Sequence, residues 1–472
     1  MKKNKLMAVC FGALAAVIYF ASLAGYAYPG DSARLMALWR GLDASASPEF
    51  PLMAFFVRLF GGGNLLAPVC GAFSVFALYS LVSAFVGNRV GRTSDGADDT
   101  KTGRGEKKER VMIIAGAVAS LVFILSPAVR SAATHLEPRL FDFAWMLLPL
   151  LLSLPFYRAK RGAVWVYAPL AGVLAGLGLC DSALALAFLP FMLASVFFVA
   201  RAQGRRPYVA LTLNVFCGVV TAFLACGIFG LGVSDHLVKL AAEMRLWRLT
   251  PGWLFVALFS TLPFVIALFS AKRSLSDAPG LVQWLFHLAL TFVAILAVAT
   301  PLSPSRLMEP YGVLPVASSA FAACVAAYLA AFWWLNRFHV VALASGCVYA
   351  FVLLVTCLWN LFVFDGDRGA FADLVAKKAI EDLGDRAWLV TDGALDSHLK
   401  LVAAKQGKEL HLVSLARDLD EKYLKELSGL VERTGLGGEK NAELRATLSL
   451  GVLPFIQDWF ASDPSAKKVA AV

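Results

Sequence analysis

Charge is what this sequence has little of. Only 16% of its 472 residues are Asp, Glu, Lys or Arg, while 59% are hydrophobic. A soluble domain runs at about 45–50% apolar, so a water-soluble globule is excluded; the mean hydropathy of +0.69 says the same. Inside the apolar runs ionisable side chains are rarer still. Asp142 stands near the outer end of the fourth run and His287 near the inner end of the ninth. That scarcity argues against an ion-coupled transporter, which places ionisable groups or broken helices at mid-membrane. Cysteine is absent from residues 365–472, and all eight cysteines lie in or at the ends of apolar runs. No disulfide framework or Cys-rich metal site exists in that tail. No G-x-G-x-x-G occurs there either, so a dinucleotide is not expected.

What is present is a series of about eleven apolar stretches of membrane-crossing length. They fall near 6–27, 65–87, 111–128, 140–157, 164–180, 183–200, 209–232, 253–271, 283–300, 312–335 and 340–363. Continuous apolar runs mean helices, because barrel strands alternate over about ten residues. Lys2, Lys3 and Lys5, the stretch Arg89 to Arg110, then Arg158, Lys160 and Arg161, then Arg201, Arg205 and Arg206, then Lys272 and Arg273 all fall on one side if the spans alternate. That side is expected to be the cytoplasm. Residues 1–27 resemble a signal peptide but are read as an uncleaved anchor. The formal net charge of +10 lies in the membrane part and reports topology, so no nucleic-acid partner is expected.

The charges that remain gather at the opposite, outer ends of the runs. They are Asp31, Arg34, Arg40 and Glu49, then Arg130, His135, Glu137 and Arg139, then Asp181, then His236, Lys239, Glu243, Arg245 and Arg248, then Arg306 and Glu309. Such a crown suits recognition of a polar headgroup at the membrane surface; solvated loops are the plain alternative.

Residues 28–64 are long for a connection within a bundle, and long ordered loops tend to carry function. Pro29-Gly30 marks a turn, and Asp31 or Ser32 is placed to N-cap a helix over about 32–42. Leu35, Met36, Leu38, Trp39 and Leu42 share one face of that helix, which reads as interfacial. Ser47-Pro48-Glu49-Phe50-Pro51 starts a second helix, Leu52 to Phe60. Asp31 thus reads as a helix cap, as a general base, or as both. Asp181 reads as a cap between the fifth and sixth spans or as a substrate contact. Glu137 and His135 are placed to orient an acceptor or to bind a divalent metal, though two such residues are a weak metal signal.

In the tail, 387–391 and 410–415 read as strands, 395–406 and 420–433 as helices, and 434–472 as weakly specified helix. That β-α-β-α order implies a small parallel sheet covered by helices. Asp392, Asp396 and His398 read as turn and cap residues, or as contacts to an acceptor. The stretch 93–108 has no apolar period and reads as a cytoplasmic loop.

Four stretches carry a family resemblance. Gly30-Asp31-Ser32, with Ser47-Pro48-Glu49-Phe50-Pro51-Leu52, is similar to a GDS motif followed by a proline-rich HPPGYPL motif; here the second consecutive proline and the tyrosine are missing. Glu137, in His135-Leu136-Glu137-Pro138-Arg139, stands where an acidic residue opens a span. Gly176-Leu177-Gly178-Leu179-Cys180-Asp181-Ser182 resembles a GLSLTNH turn, with Asp181-Ser182 in place of Asn-His. Leu389 to Ser397 resembles an LFTNGDNDT segment. The chain thereby resembles the glycosyltransferase-C superfamily, specifically its bacterial multispanning branch similar to protein O-mannosyltransferases.

The resemblance implies a mostly α polytopic membrane helix bundle over 1–364 and a small extracytoplasmic α/β domain over 365–472, in a bacterial cytoplasmic (inner) membrane with the N-terminus inside. It implies transfer of a sugar from a polyprenyl-phosphate donor to a protein, glycan or lipid hydroxyl on the outer face, with inversion. Asp31 would be the general base, and Glu137 a second catalytic residue that assists by orienting the acceptor or holding a divalent metal; no general acid is required. Arg34, Arg130, His135, Arg139, Asp181, Arg245, Arg248 and Arg306 are the candidate substrate contacts; Arg130, Arg139, Arg245, Arg248 and Arg306 suit a departing phosphate, with Arg139 and Arg306 leading because each sits close to the outer end of a span. A non-catalytic scaffold of the same fold, or a transporter of lipid-linked sugars, stays open from the residues alone.

Overall fold

The computed structural model describes residues 2–43, 49–60, 63–91, 101–159, 162–249, 315–335, 369–418 and 420–462, with a few single positions and pairs between 288 and 471. In chain order the helices begin α1 (Lys2–Ala21), α2 (Asp31–Trp39), α3 (Pro51–Leu59), α4 (Leu66–Gly91), α5 (Lys101–Leu125) and α6 (Pro127–Thr134). Next come α7 (Pro138–Tyr157), α8 (Val164–Gly178), α9 (Leu184–Ala202), α10 (Pro207–Ile228), α11 (Val233–Leu249) and α12 (Pro315–Leu335). The tail holds α13 (Ala370–Asp382), β1 (Trp388–Thr391), α14 (Asp396–Gln406), β2 (His411–Ser414), α15 (Glu421–Thr434), α16 (Asn441–Thr447), α17 (Val452–Ser462) and β3 (Ala470–Ala471). These elements form two compact units, Met1–Leu23 with Phe50–Asp365, and Ala24–Glu49 with Gly366–Val472.

The first unit is a helical bundle of the membrane type. Among the described residues five helices are long and apolar enough to cross a bilayer, and a sixth span results if α5 and α6, bent by 63° at Ser126, count as one. The expected spans at 253–271 and 283–300, most of 340–363, and His287 lie outside the described residues. Leu6, Val9 and Val17 of α1 and Phe216, Phe223, Leu224 and Ile228 of α10 are exposed, while Tyr19, Val75, Tyr79 and Phe123 are buried inside. Apolar outside and packed inside is the pattern a lipid solvent selects. Polar ties set the register of α1 on α4: Asn4 donates to Ser83 at 3.1 Å and accepts from the Tyr79 hydroxyl at 3.0 Å.

Helices α8 and α10 approach through small residues. A Cβ at Gly172 would collide with the Asn214 carbonyl, and one at Gly176 with the Gly218 carbonyl. Asn214 then donates to Ala168 O at 2.8 Å. This is the close small-residue crossing that membrane helices favour. At the other end of α8, Gln203 bridges three backbone groups, accepting from Gly162 and Val164 N–H and donating to Phe156 O. Residues 101–108, expected in a loop, are instead the first turns of α5.

The second unit is built on a three-stranded sheet in the order β2-β1-β3, all parallel. Trp388 pairs with His411 and Thr391 with Ser414. Parallel strands need covering on both faces. One face packs Val390, Val413, Tyr423, Leu427, Phe455 and Trp459. The other packs Ile380, Leu399, Val402 and Leu412.

The loop helix α2 belongs to this second unit, packed against α14. Leu35 and Met36 are buried there, so that part of its apolar face covers protein, while Leu38, Trp39 and Leu42 are half-buried. An interfacial helix is expected here from the stripe; an apolar stripe alone does not say which apolar phase it meets, and part of this one meets α14. Further ties hold the loop to the tail. Asp43 pairs with Arg417 at 3.2 Å and Lys400 at 3.6 Å. Arg417 also bonds Asp420 at 2.8 Å and lies over the Tyr423 ring. His398 Nε2 is 3.2 Å from the Ala27 carbonyl.

Candidate active site

Gly30 turns the chain into α2 with φ 88°, a conformation that suits glycine. Gly30 itself is the N-cap and no side chain caps the helix; neither Asp31 nor Ser32 takes the cap role expected of them. Asp31 is the first helical residue. Its carboxylate pairs with Arg34 one turn on, at 3.2 Å, and is 63% exposed. Arg34 is held more closely by Glu49, at 2.8 Å. That hydrogen bond, with the charges of Glu49 and Asp31, raises the guanidinium above its already high range. Trp39 Nε1 donates to the Glu49 carbonyl at 3.4 Å and fixes the far side of the loop. The result is an open carboxylate at a helix start, oriented by an arginine that is itself anchored.

In the first unit, the junction of α6 and α7 holds the next group. Glu137 is the N-cap of α7, accepting from Arg139 N at 3.4 Å, and Pro138 follows it at the first helical position. This is the arrangement expected at a helix start. Asn64, just before α4, accepts from Leu136 N at 2.9 Å and pins the junction. His135 Nε2 lies 3.8 Å from Glu137. Burial lowers the His135 imidazole to about 4, so at neutral pH the ring is uncharged beside the carboxylate. Arg130 lies on α6, is only 2% exposed, and sits within electrostatic reach of Tyr19. His135 and Arg130 are therefore interior groups and not members of a solvated loop. Arg139 is exposed.

Asp181 is fully buried. Its two oxygens accept from Leu52 N at 2.7 Å and Met53 N at 2.9 Å, the first free donors of α3. Phe50, the N-cap of α3, has a left-handed backbone and supplies no side-chain cap. Asp181 therefore does cap a helix, but a distant one and not the neighbour α9. With both oxygens engaged, the carboxylate ties the turn after α8 to the start of α3. Burial pushes this carboxyl up to about 7, against the two N–H donors and the Lys239 ammonium, which pull it down. Lys239 stands over the Phe50 ring at 5.0 Å. Next to Asp181, Ser182 donates to Asp142 at 2.6 Å, and His236 Nε2 is 2.8 Å from the Leu179 carbonyl. Asn64 is a polar contact that the sequence does not single out, and although Asp142 stands out there as a rare ionisable group, its pairing with Ser182 does not. Their only sequence signal is a polar residue at the edge of an apolar run.

Arg245 and Arg248 lie on α11, and their side chains are outside the described residues, as is Arg306. In the tail, Asp392 accepts from Ala394 N at 3.0 Å and Asp396 from the Thr391 hydroxyl at 2.5 Å. Among the described residues no group of three or more His, Cys, Asp or Glu is placed to hold a metal ion.

Of the candidate residues described, Asp31, Arg34 and Glu49 belong to the second unit, and Arg130, His135, Glu137, Arg139 and Asp181 to the first. Each set combines a carboxylate with a cation at a helix start. No curated protein matches the chain, and no solved structure does. The family pattern described as the protein O-mannosyl-transferase TMEM260 N-terminal domain matches residues 50–206, about a third of the chain, from the start of α3 to the end of α9. Through that stretch the chain is similar to an O-mannosyltransferase-type glycosyltransferase, and the matched residues include Glu137 and Asp181 but not Asp31.

Proposed function

We propose that this protein is an integral-membrane glycosyltransferase that moves a sugar from a polyprenyl-phosphate donor to an acceptor hydroxyl on the extracytoplasmic face of a bacterial inner membrane. The observation that carries this reading is the match of residues 50–206 to a protein O-mannosyltransferase domain. Eleven spans, a cytoplasmic N-terminus and an extracytoplasmic tail complete the reading and follow from the apolar runs and the Lys and Arg distribution.

Asp31 is the general base. Its carboxylate is the open one in the first loop, oriented by Arg34, and a base must meet the acceptor hydroxyl within hydrogen-bond reach. As the hydroxyl oxygen bonds to the anomeric carbon, its proton passes to Asp31 and the bond to the phosphate oxygen breaks. The electron pair leaves with the polyprenyl phosphate, and the anomeric configuration inverts. The phosphate needs no proton to depart, but charge grows on it in the transition state and calls for a cation. Arg139 is exposed beside the α7 start and leads among the arginines; Arg245, Arg248 and Arg306 are further candidates. Glu137, beside a neutral His135, accepts hydrogen bonds from sugar hydroxyls. The acceptor is a protein, glycan or lipid.

The test is transfer of label from radiolabelled polyprenyl-phosphate sugars to envelope acceptors, with Asp31→Asn beside the wild type. Label moved by the wild type and lost in the variant supports the reading. Absence of transfer by folded wild-type protein, with every donor offered, removes it.

A further inference from the structure

Helix α13 has two apolar faces where a helix on a soluble domain has one. Ala372, Ala376 and Ile380 are buried against the sheet unit. On the opposite side, Phe371, Leu374 and Val375 are 61%, 61% and 50% exposed. They follow the i, i+3, i+4 spacing of one continuous stripe. The stripe is confined to the first two turns. Beyond it the same side carries Lys378 and Asp382, paired at 2.8 Å, while Lys377 and Asp373 pair at 2.6 Å along the flank. The helix is thus apolar outward at its start and charged outward at its end.

Two stretches of chain tie that start to apolar runs. The last apolar run ends at 363, seven residues before Ala370, a reach of at most about 25 Å of extended chain. Gly369, which precedes the helix, is packed by Tyr26, Tyr28 and Pro29 so closely that any Cβ there would collide with them. Tyr26 stands five residues after Ala21, the last residue of α1, about 17 Å of extended chain. Tyrosines in this position suit the headgroup layer.

We infer that α13 is a membrane-surface anchor: Phe371, Leu374 and Val375 insert into the headgroup–acyl boundary of the phospholipid bilayer and seat the second unit on it. The occupant of the stripe is lipid, because chain continuity brings its apolar end, and not its charged end, to the bilayer. The anchor does not depend on the transferase reading.

The test uses the full-length protein in vesicles of phosphatidylethanolamine and phosphatidylglycerol containing a photoactivatable phosphatidylcholine with its carbene source near the glycerol end. After illumination, lipid adducts are mapped by mass spectrometry. The expected result is adduct formation on the peptide spanning 370–377 at least tenfold above that on α15, whose outward side is charged. Phe371→Ser with Leu374→Ser should lower the α13 adducts at least fivefold and leave those on α1 unchanged. Adducts on α13 no higher than on α15 would overturn the inference, as would an unchanged α13 signal in the double variant. Both positions are exposed, so the substitutions leave the buried face of the helix intact.

Discussion

The Asp181 carboxylate accepts the Leu52 N–H at 2.7 Å across 129 positions of sequence, and Met53 N–H at 2.9 Å joins it. A helix start without a local cap, at a strained Phe50, is completed from a turn between two later helices. Asp181→Ala leaves two buried donors without their acceptor and is expected to cost about 2–3 kcal/mol. Differential scanning fluorimetry in detergent checks the loss, and faster amide exchange at Leu52 and Met53 locates it.

Asp181 and His135 give opposite pH dependences. In the unfolded chain Asp181 ionises near 3.8, whereas the folded protein holds the proton to about 7. The folded state binds more protons in that window, so this group lowers stability as pH rises from 3.8 to 7. Unfolded His135 takes up a proton near 6.5, and the buried ring does so only near 4. This group therefore raises stability as pH rises from 4 to 6.5. Asp181→Asn should leave a stability that climbs between pH 4 and 6.5, and His135→Gln one that falls between pH 4 and 7. Melting temperatures across pH 4–8 read both slopes.

The α8–α10 crossing is expected to be intolerant of size. Gly176→Leu forces a side chain into the Gly218 carbonyl and Thr221 and should destabilise by about 3 kcal/mol. Gly227, also on α10, has nothing within 4 Å of an added Cβ. Gly227→Ala should be neutral or stabilising by up to about 1 kcal/mol. Melting temperatures of the two variants, measured side by side, decide the matter.

Much of this arrangement is legible in the sequence. The Pro51 and Pro138 starts, the turn signals and the alternation of the tail place α3, α7, β1, α14, β2 and α15 within a few residues. What is not legible depends on partners far along the chain. Asp181 announces itself as a cap, but nothing local says that the helix it caps begins at Pro51. The apolar stripe of α2 has the same period whether it covers lipid or, as part of it does here, α14. Arg130 reads as a loop cation because arginine is seldom buried, whereas it lies on α6, bent by 63° from α5 at Ser126, and is buried there.

The loop 24–43 is expected to depend on Asp43. This carboxylate meets Arg417 and Lys400 while only 16% exposed, and hydrogen bonds to charged groups contribute about 1.5–3 kcal/mol. Asp43→Ala should accelerate amide exchange throughout α2. Combined with Arg417→Ala it should cost less than the sum of the two single changes, since they share one contact.

The most direct measurement is the rate of sugar transfer by Asp31→Asn relative to wild type, with purified protein, a polyprenyl-phosphate donor and envelope acceptor. Asparagine keeps the shape and the Arg34 contact but cannot take a proton. Loss of a positioned base is worth about 10²–10⁴-fold in rate, so transfer should fall at least 100-fold with an unchanged melting temperature. Transfer at the wild-type rate by Asp31→Asn would contradict the assignment of the base.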